Sequence, residues 1–362
     1  MVVLSIATYI FVGLYGLMVV AFVIGCLRLP HFDEKTPMKT PISLVVCCKN
    51  EAENLPHLLA TIVQQTHPDF EVIFANDHST DDTAKILDEF CQNHTFAHTF
   101  DTVGHGKKNA LREAIARTHH DTIVCTDADC TLPPKHLQTI ADFFAENAPD
   151  LLIGSVKMAH NGTLFQQLQA LEFASLVAST AGACGVGKPI MCNGANLAFQ
   201  KQVWQACSDQ LHDSTPSGDD LFLLHAVKKM GGKIAFLKSE NAVVTTQPQA
   251  TLGRFVRQRA RWSSKATAYT DPATIAVACV VLGVSLLILF DFIGIFWQFA
   301  TFVPFLIAFG AKFAIDTAFL AIFLPFTQQR RLLLHTPLLS AIYPIYIAYA
   351  ALRGLTGKVR WK

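Results

Sequence analysis

Charge is scarce in this sequence and nearly balanced. Asp, Glu, Lys and Arg make up 16% of its 362 residues, against about 25% in an average soluble protein, and the net charge is +1. With no basic excess, the chain has no electrostatic footing for a nucleic-acid partner. No C-x-x-C pair occurs among the ten cysteines, which argues against a structural zinc site or a dithiol redox centre. Cys47 and Cys48 are adjacent in an apolar, strand-like run, and Cys26 and Cys279 fall in long hydrocarbon segments. Free thiols in a reducing compartment are therefore expected. His94-x3-His98 lacks a third ligand nearby and reads as surface histidine. No internal repeat or low-complexity stretch is evident.

What the chain has instead is hydrocarbon at both ends, with a mean hydropathy of +0.33 overall. Residues 1–27 carry no charge and are long enough for a transmembrane helix, which needs about 20 apolar residues. A cleaved signal peptide would have a basic start and a shorter core. Here the basic residues Arg28, Lys35 and Lys39 come after the core, which places the amino terminus outside and the central domain in the cytoplasm. Residues 28–40 form a linker. At the other end, 272–353 is a second membrane region. Its first part, 273–326, suffices for two spanning helices broken near Trp297-Gln298, with Lys312 and Asp316 paired inside it. Gln328-Gln329-Arg330-Arg331 marks a cytoplasmic turn. The last segment, Leu332–Leu352, is interrupted by Pro337 and Pro344. If it spans, the basic tail 354–362 ends outside, against the charge rule, so a re-entrant or interfacial segment is the competing expectation.

Between these ends, residues 41–250 alternate strand and helix. Ile42–Cys48, Phe70–Ala75 and Thr122–Cys125 read as buried strands; Asn54–Gln65, Asp81–Cys91, a segment from Lys107 and one from Pro133-Pro134 to Phe144 read as helices. Ser79-Thr80-Asp81-Asp82 is the expected cap of the second helix. Repeated units of this kind favour an open α/β sheet with helices on both faces, whose ligands bind at the carboxyl ends of the strands. Asn50, Asp77 and Asp127 fall there. From Leu151 the alternation loosens, and 150–250 reads as the acceptor-side half of the same domain.

Several motifs could carry chemistry. Asp127-Ala128-Asp129 puts two carboxylates at a strand exit, a seat for a divalent cation holding a diphosphate, since Mg²⁺ takes one or two carboxylates plus substrate phosphates. Gly182-x4-Gly187-Lys188 nearly spells a phosphate loop, but Pro189 stands where the metal-binding hydroxyl belongs. Lys107 and Lys108 at a helix start could meet a phosphate, or simply form a solvated helix end. Ser217-Gly218-Asp219-Asp220 opens a helical run, so its acids are either helix-terminal carboxylates or a general base. In 251–271, an amphipathic interfacial helix, Gln258, Arg261 and Trp262 share one face, with Arg254 and Lys265 beside it. An arginine fork fits phosphate, and an indole offers a flat wall to a sugar ring. Binding of anionic lipid is the alternative.

Taken in order, these motifs resemble membrane-bound family-2 glycosyltransferases of the GT-A fold. Cys48-Lys49-Asn50-Glu51 is similar to that family's nucleotide-contacting turn, and Asn76-Asp77-His78-Ser79-Thr80-Asp81 to its Asp-Asp-x-Ser-x-Asp signature, with Asn76 replacing the first acid. Gly106-Lys107-Lys108-Asn109-Ala110-Leu111, Asp127-Ala128-Asp129, Gly194-Ala195-Asn196, Asp219-Asp220 and Gln258-Arg259-Ala260-Arg261-Trp262 follow in the family's order. The resemblance implies a GT-A-type mixed sheet between membrane helices. It implies donor contacts from Asn50, Glu51, Asp77, Lys107 and Asp127, with Mg²⁺ or Mn²⁺ on Asp129 and Asp127. Asp220, beside Asp219, becomes the catalytic base, and Asn196, Gln258, Arg261 and Trp262 serve the acceptor and diphosphate. The implied reaction is inverting transfer from a nucleotide-diphosphate sugar, by family habit a uridine diphosphate sugar, to a lipid or glycan acceptor. The setting would be a bacterial inner membrane, with the catalytic domain cytoplasmic. A processive polysaccharide synthase is the alternative within enzymes, and a non-catalytic nucleotide-sugar sensor or transporter subunit the alternative outside them.

Overall fold

A computed structural model of the protein describes residues 2–33, 37–207, 218–297 and 299–356. Lys35, Ser217, Gln298 and the tail residues Lys358, Arg360 and Lys362, used in the sequence reading, lie outside the described residues. The described residues divide into two compact units, one built from 2–29, 160–190 and 248–356, the other from 30–159 and 191–247.

The first unit is helical: α1 (Val2–Arg28), α6 (Leu164–Gly185), α9 (Leu252–Ser263), α10 (Pro272–Gly294), α11 (Phe302–Phe323) and α12 (Thr336–Thr356). Among the described residues, four helical stretches, Leu4–Arg28, Pro272–Gly294, Phe302–Phe323 and Arg330–Gly354, are long and apolar enough to cross a membrane. In the last, a 3-10 segment, Arg330–His335, leads into α12, which continues through Pro344. Its residues also remain helical from Thr336 onward, with Pro337 in the first turn, where a missing amide costs nothing. Lys312 and Asp316 do pair, and Tyr15 of α1 joins them.

Glycine decides where α1 meets α6. A Cβ added to Gly25 would lie 1.9 Å from the Gly182 carbonyl oxygen, and one added to Gly185 would lie 2.2 Å from that of Gly25. Backbone touches backbone here, the close approach that small residues allow between helices. The incomplete phosphate loop around Gly182 thus has a packing explanation. Gly25→Val should force the helices apart and cost at least ~3 kcal/mol, the upper end of ordinary overpacking. A thermal melt of the detergent-solubilised protein would check this.

The second unit is a mixed α/β layer structure. In chain order it comprises β1 (Ile42–Cys48), α2 (Leu55–Val63), β2 (Phe70–Asn76), α3 (Thr83–Asn93), β3 (Ala97–Asp101), α4 (Lys107–Arg117), β4 (Thr122–Asp127), β5 (Cys130–Thr131) and α5 (His136–Asn147). There follow β6 (Leu151–Gly154), β7 (Val156–Met158), β8 (Leu197–Gln200), α7 (Lys201–Cys207), α8 (Asp219–Lys229), β9 (Ile234–Leu237) and β10 (Val244–Thr246). Seven strands form one sheet in the order β3-β2-β1-β4-β8-β6-β9, and β5-β10-β7 form a small second sheet. β1 is uncharged because it is central: Ile42, Leu44, Val46 and Cys48 are fully buried, and Ser43, pointing the other way, is buried too. Each buried aliphatic side chain contributes about 1.5–3 kcal/mol.

β1 pairs in parallel with β2 on one side and β4 on the other, with Cys47 opposite both Ala75 and Asp127. The chain winds outward from β1 to β3, then returns past β1 to β4. Strand order therefore reverses at the β1–β4 junction, where open α/β sheets hold their ligands. The expected cap of α3 is absent as such: Asp82 makes no capping bond. Asp81 instead accepts from the Thr83 amide at 3.0 Å and the Ala52 amide at 3.1 Å, tying the β1 exit loop to the β2 exit loop.

Candidate active site

The site is built where the carboxyl ends of β1, β2 and β4 face the start of α4. Asp127 closes β4, and its Oδ1 accepts from Lys107 Nζ at 2.6 Å. Lys107 is the first residue of α4, preceded by Gly106 at φ 93°, a left-handed backbone that suits glycine. The Gly106 amide donates to both oxygens of the fully buried Asp77 at 3.1 and 3.0 Å, so one carboxylate satisfies the exposed end of the helix. Lys49 Nζ bonds Asp77 Oδ2 at 3.1 Å. The sequence reading placed this lysine in the turn after β1 but gave it no role of its own.

Asp219 and Asp220 open α8 after Gly218, at φ 107°. Asp220 Oδ2 accepts from the Gly194 amide at 3.2 Å, just before the start of β8. Lys107, Asp127, Gly194, Asp219 and Asp220 line one pocket, together with Cys47 of β1 and Cys125 of β4. Burial pulls the Lys107 ammonium down, but the facing Asp127 and Asp219 outweigh it and hold its pKa well above the ordinary lysine value. The Lys107 and Asp127 side chains remain 22% and 37% exposed, so a ligand can reach both. Burial also pushes the Cys47 thiol up to about 12, with the nearby carboxylates adding to the effect and Lys107 opposing it. It is a protonated, unreactive wall of the pocket.

The other residues expected here have more varied positions. Asp129 sits in the turn after β4, with Thr246 Oγ1 of β10 3.5 Å from its Oδ1. Asn50 adopts φ 53°, and its Oδ1 accepts from the Thr80 amide at 2.8 Å. Glu51 is buried and accepts from Asn54 Nδ2 at 2.7 Å, while its amide donates to Thr83 Oγ1 at 2.8 Å. Asn50 and Glu51 thus brace the loops around Asp77.

Asn196 is 1% exposed. Its Nδ2 donates to the Ser155 and Ala242 carbonyls, both at 2.8 Å, and its Oδ1 lies 3.0 Å from His136 Nε2. Those bonds leave its amide no donor for an acceptor substrate; it knits β6, β8 and the 240–242 turn together. Gly154 makes room for it, since a Cβ there would lie 2.2 Å from the Asn196 side chain.

His136 was not foreseen, because nothing near it in sequence marks a buried imidazole. It is fully buried, and that burial lowers its pKa from 6.5 to about 4, against the opposing bond to Asn196. The unfolded chain therefore takes up this proton at a higher pH than the folded one. Stability from this source is intact above pH 6.5 and is lost as pH falls toward 4, by about 3 kcal/mol in all. His136→Gln should flatten that part of the pH profile, measured as the difference in denaturant midpoint between variant and parent from pH 7.5 to 4.5.

Gln258, Arg261 and Trp262 lie on α9, in the helical unit, all half-buried. The residue that holds them is Arg259, 3% exposed. Its guanidinium donates to Gln258 Oε1 at 2.6 Å, lies 4.1 Å from the Trp262 ring and is ion-paired to Glu172 of α6. Tyr346 of α12 donates to the same Glu172 at 3.2 Å.

The family model described as Glycosyl transferase family 2 matches residues 43–201. This span of the chain is a family-2 glycosyl transferase domain. The family match runs from β1 to the first residue of α7, so it contains Asp77, Lys107, Asp127, Asp129 and Asn196. Asp219, Asp220 and α9 lie beyond it. Poly-β-1,6-N-acetyl-D-glucosamine synthase of Staphylococcus epidermidis is 31% identical over 137 residues, 38% of this chain and 33% of that one. The enzyme of the same description from Staphylococcus aureus (strain COL) is 26% identical over 139 residues, with the same shares. The match thus spans a third of the length of these curated relatives. Among solved structures, the mannosyltransferase PcManGT from Pyrobaculum calidifontis, in complex with GDP-Man and Mn²⁺, shares the fold. The TM-score is 0.59 at 17% identity, over 98% of this chain and 97% of that one. The expected GT-A-type mixed α/β sheet with apolar helices at both ends is the architecture observed.

Proposed function

We propose that the chain is an inverting glycosyltransferase, moving a sugar from a nucleotide-diphosphate sugar to the hydroxyl of a membrane-associated acceptor, a lipid in the first instance. The observation that carries this reading is the convergence of Lys107, Asp127, Asp219 and Asp220 on one pocket at the point where strand order reverses. Asp77 faces the nucleoside end. Lys107, with its charge secured by the carboxylates around it, meets the diphosphate. Asp220 takes the proton of the acceptor hydroxyl as that oxygen attacks the anomeric carbon, and the nucleoside diphosphate departs from the opposite face. A single carboxylate base and direct displacement give inversion. Asn196 acts through position only.

Asp127 and Asp129 would offer carboxylate oxygens, which suit a hard cation. Mg²⁺ or Mn²⁺ held there would supply neutralising charge for the leaving diphosphate. Lys107 already neutralises part of the cluster at Asp127, Asp219 and Asp220, so a cation and a phosphate can share it without gross charge imbalance. For Gln258, Arg261 and Trp262 the reading keeps the roles suggested by their chemistry, phosphate for the guanidinium and a sugar or acceptor face for the indole. Four helices with the length and apolarity of membrane spans support an integral protein of a bacterial inner membrane. Arg28 at the end of α1 supports a cytoplasmic catalytic domain.

The curated relatives are named as polysaccharide synthases, which favours processive polymerisation as a second reading. One experiment separates the two. Membranes containing the protein are incubated with a panel of labelled uridine and guanosine diphosphate sugars, and products are extracted and sized. Label in a low-mass lipid fraction is expected; a polymer ladder would favour the second reading. If no donor yields product with any metal, the enzymatic reading fails.

A further inference from the structure

A second set of ligating atoms lies at the β2 exit, apart from the Asp127–Asp129 pair. Asp77, His78 and His105 each present one ligand atom, and these atoms all lie within 4.8 Å of one another. The carboxylate is buried and fixed, while both imidazoles are exposed and face each other, with ring centroids 4.0 Å apart at 33°. Asp77 cannot swing away, because the Gly106 amide grips both of its oxygens. The three residues therefore form a preset triad, with a buried carboxylate beneath two solvent-exposed imidazoles. Among the described residues, neither imidazole makes a hydrogen bond to another side chain.

Donor chemistry distinguishes this triad from the carboxylate pair. Two imidazoles and one carboxylate suit zinc and its neighbours in the transition series, whereas oxygen-only sets suit Mg²⁺ and Mn²⁺. Three protein ligands with an open fourth position is the usual pattern of an accessible zinc site. Lys49, on Asp77 Oδ2, opposes an incoming cation; Oδ1 carries only the Gly106 amide.

We propose that Asp77, His78 and His105 bind a borderline transition-metal ion, zinc foremost, at the mouth of the nucleotide pocket, and that this ion and the donor nucleoside exclude one another. The exclusion rests on the reading above, in which Asp77 faces the nucleoside; the metal site itself does not. Zinc would then act as an inhibitor at one end of the pocket while a harder cation serves the other.

The test is zinc titration calorimetry on the full-length, detergent-solubilised protein, beside His105→Ala and the double variant His78→Asn/His105→Ala. Asparagine is chosen because His78 stands at φ 52°, a conformation asparagine tolerates well. Circular dichroism confirms folding of each variant. The parent should bind one more zinc than the double variant, with at least tenfold weaker binding at that site in the single variant. Excess Mg²⁺ should leave this zinc in place, and saturating uridine diphosphate should weaken it at least tenfold. Equal zinc binding by parent and double variant overturns the site. Zinc affinity unmoved by a nucleotide that is shown to bind overturns the exclusion. Failure of the donor reading registers separately, as no nucleotide binding in zinc-free buffer.

Discussion

Asp220→Asn should abolish sugar transfer while leaving donor binding in place. The substitution keeps the shape of the side chain and a carbonyl oxygen that can still accept the Gly194 amide, 3.2 Å from Oδ2 in the parent. What it removes is the capacity to take a proton. Positioned general bases contribute about 10²–10⁴ in rate, so the turnover number should fall by at least two orders of magnitude. Nucleotide affinity, measured by calorimetry or dye displacement, should stay within about twofold, because Lys107 and Asp127 are untouched. An equal loss of binding and turnover would make Asp220 a donor-side residue and remove the proposed base. Asp219→Asn is the useful companion. Asp219 is one of the carboxylates sustaining the Lys107 charge, so its loss should weaken nucleotide binding as well as turnover.

Glu172→Gln should be among the most destabilising single changes in the helical unit. Glu172 and Arg259 have side chains only 4% and 3% exposed, and the guanidinium Nε has no hydrogen-bond partner in the described structure. Removing the negative charge leaves a buried cation with neutral amide oxygens and two aromatic faces but no countercharge. Breaking a buried pair from one side costs about 3–5 kcal/mol, while replacing both ends with apolar residues of similar volume is often neutral. The double variant Glu172→Met/Arg259→Met should therefore melt closer to the parent than Glu172→Gln does. Since Arg259 also orients Gln258 and Trp262, the double variant tests whether a stable α9 is enough for turnover. Recovered stability with activity still lost would mark Arg259 as a positioning residue for the motif.

The carboxyl-end residues of β1, β2 and β4 were legible because those strands are apolar runs ended by polar turns. Asn50, Asp77 and Asp127 fall where that pattern puts them. The edge strand β3, Ala97–Asp101, was not, since only Ala97 is buried and the alternating exposure leaves no apolar run. β5 to β10 are two to four residues long and pair non-locally with β4 or each other, and such short strands carry too few residues for a period to show. Asn196 looked like a ligand-facing amide because its neighbours match a motif; its burial depends on His136, Ser155 and Ala242, which only the tertiary fold brings together. The basic helix was visible in Arg254–Lys265, but not that Arg259 among its arginines turns inward. Its partner Glu172 lies far away in sequence, inside a helix whose mixed composition gave no sign of an acid buried in its middle.

The alternation of the chain between its two units has a practical consequence. α6 is inserted between β7 and β8 in sequence, yet its glycines are shaped to fit α1. During synthesis α1 must wait, without that contact, until the first four parallel strands and α6 have left the ribosome. A fragment cut out as residues 30–250 to obtain a soluble enzyme would carry α6 as an orphan, its apolar and glycine surface open to self-association. A fragment meant to isolate the sheet should therefore leave out 160–190 as well as the two ends.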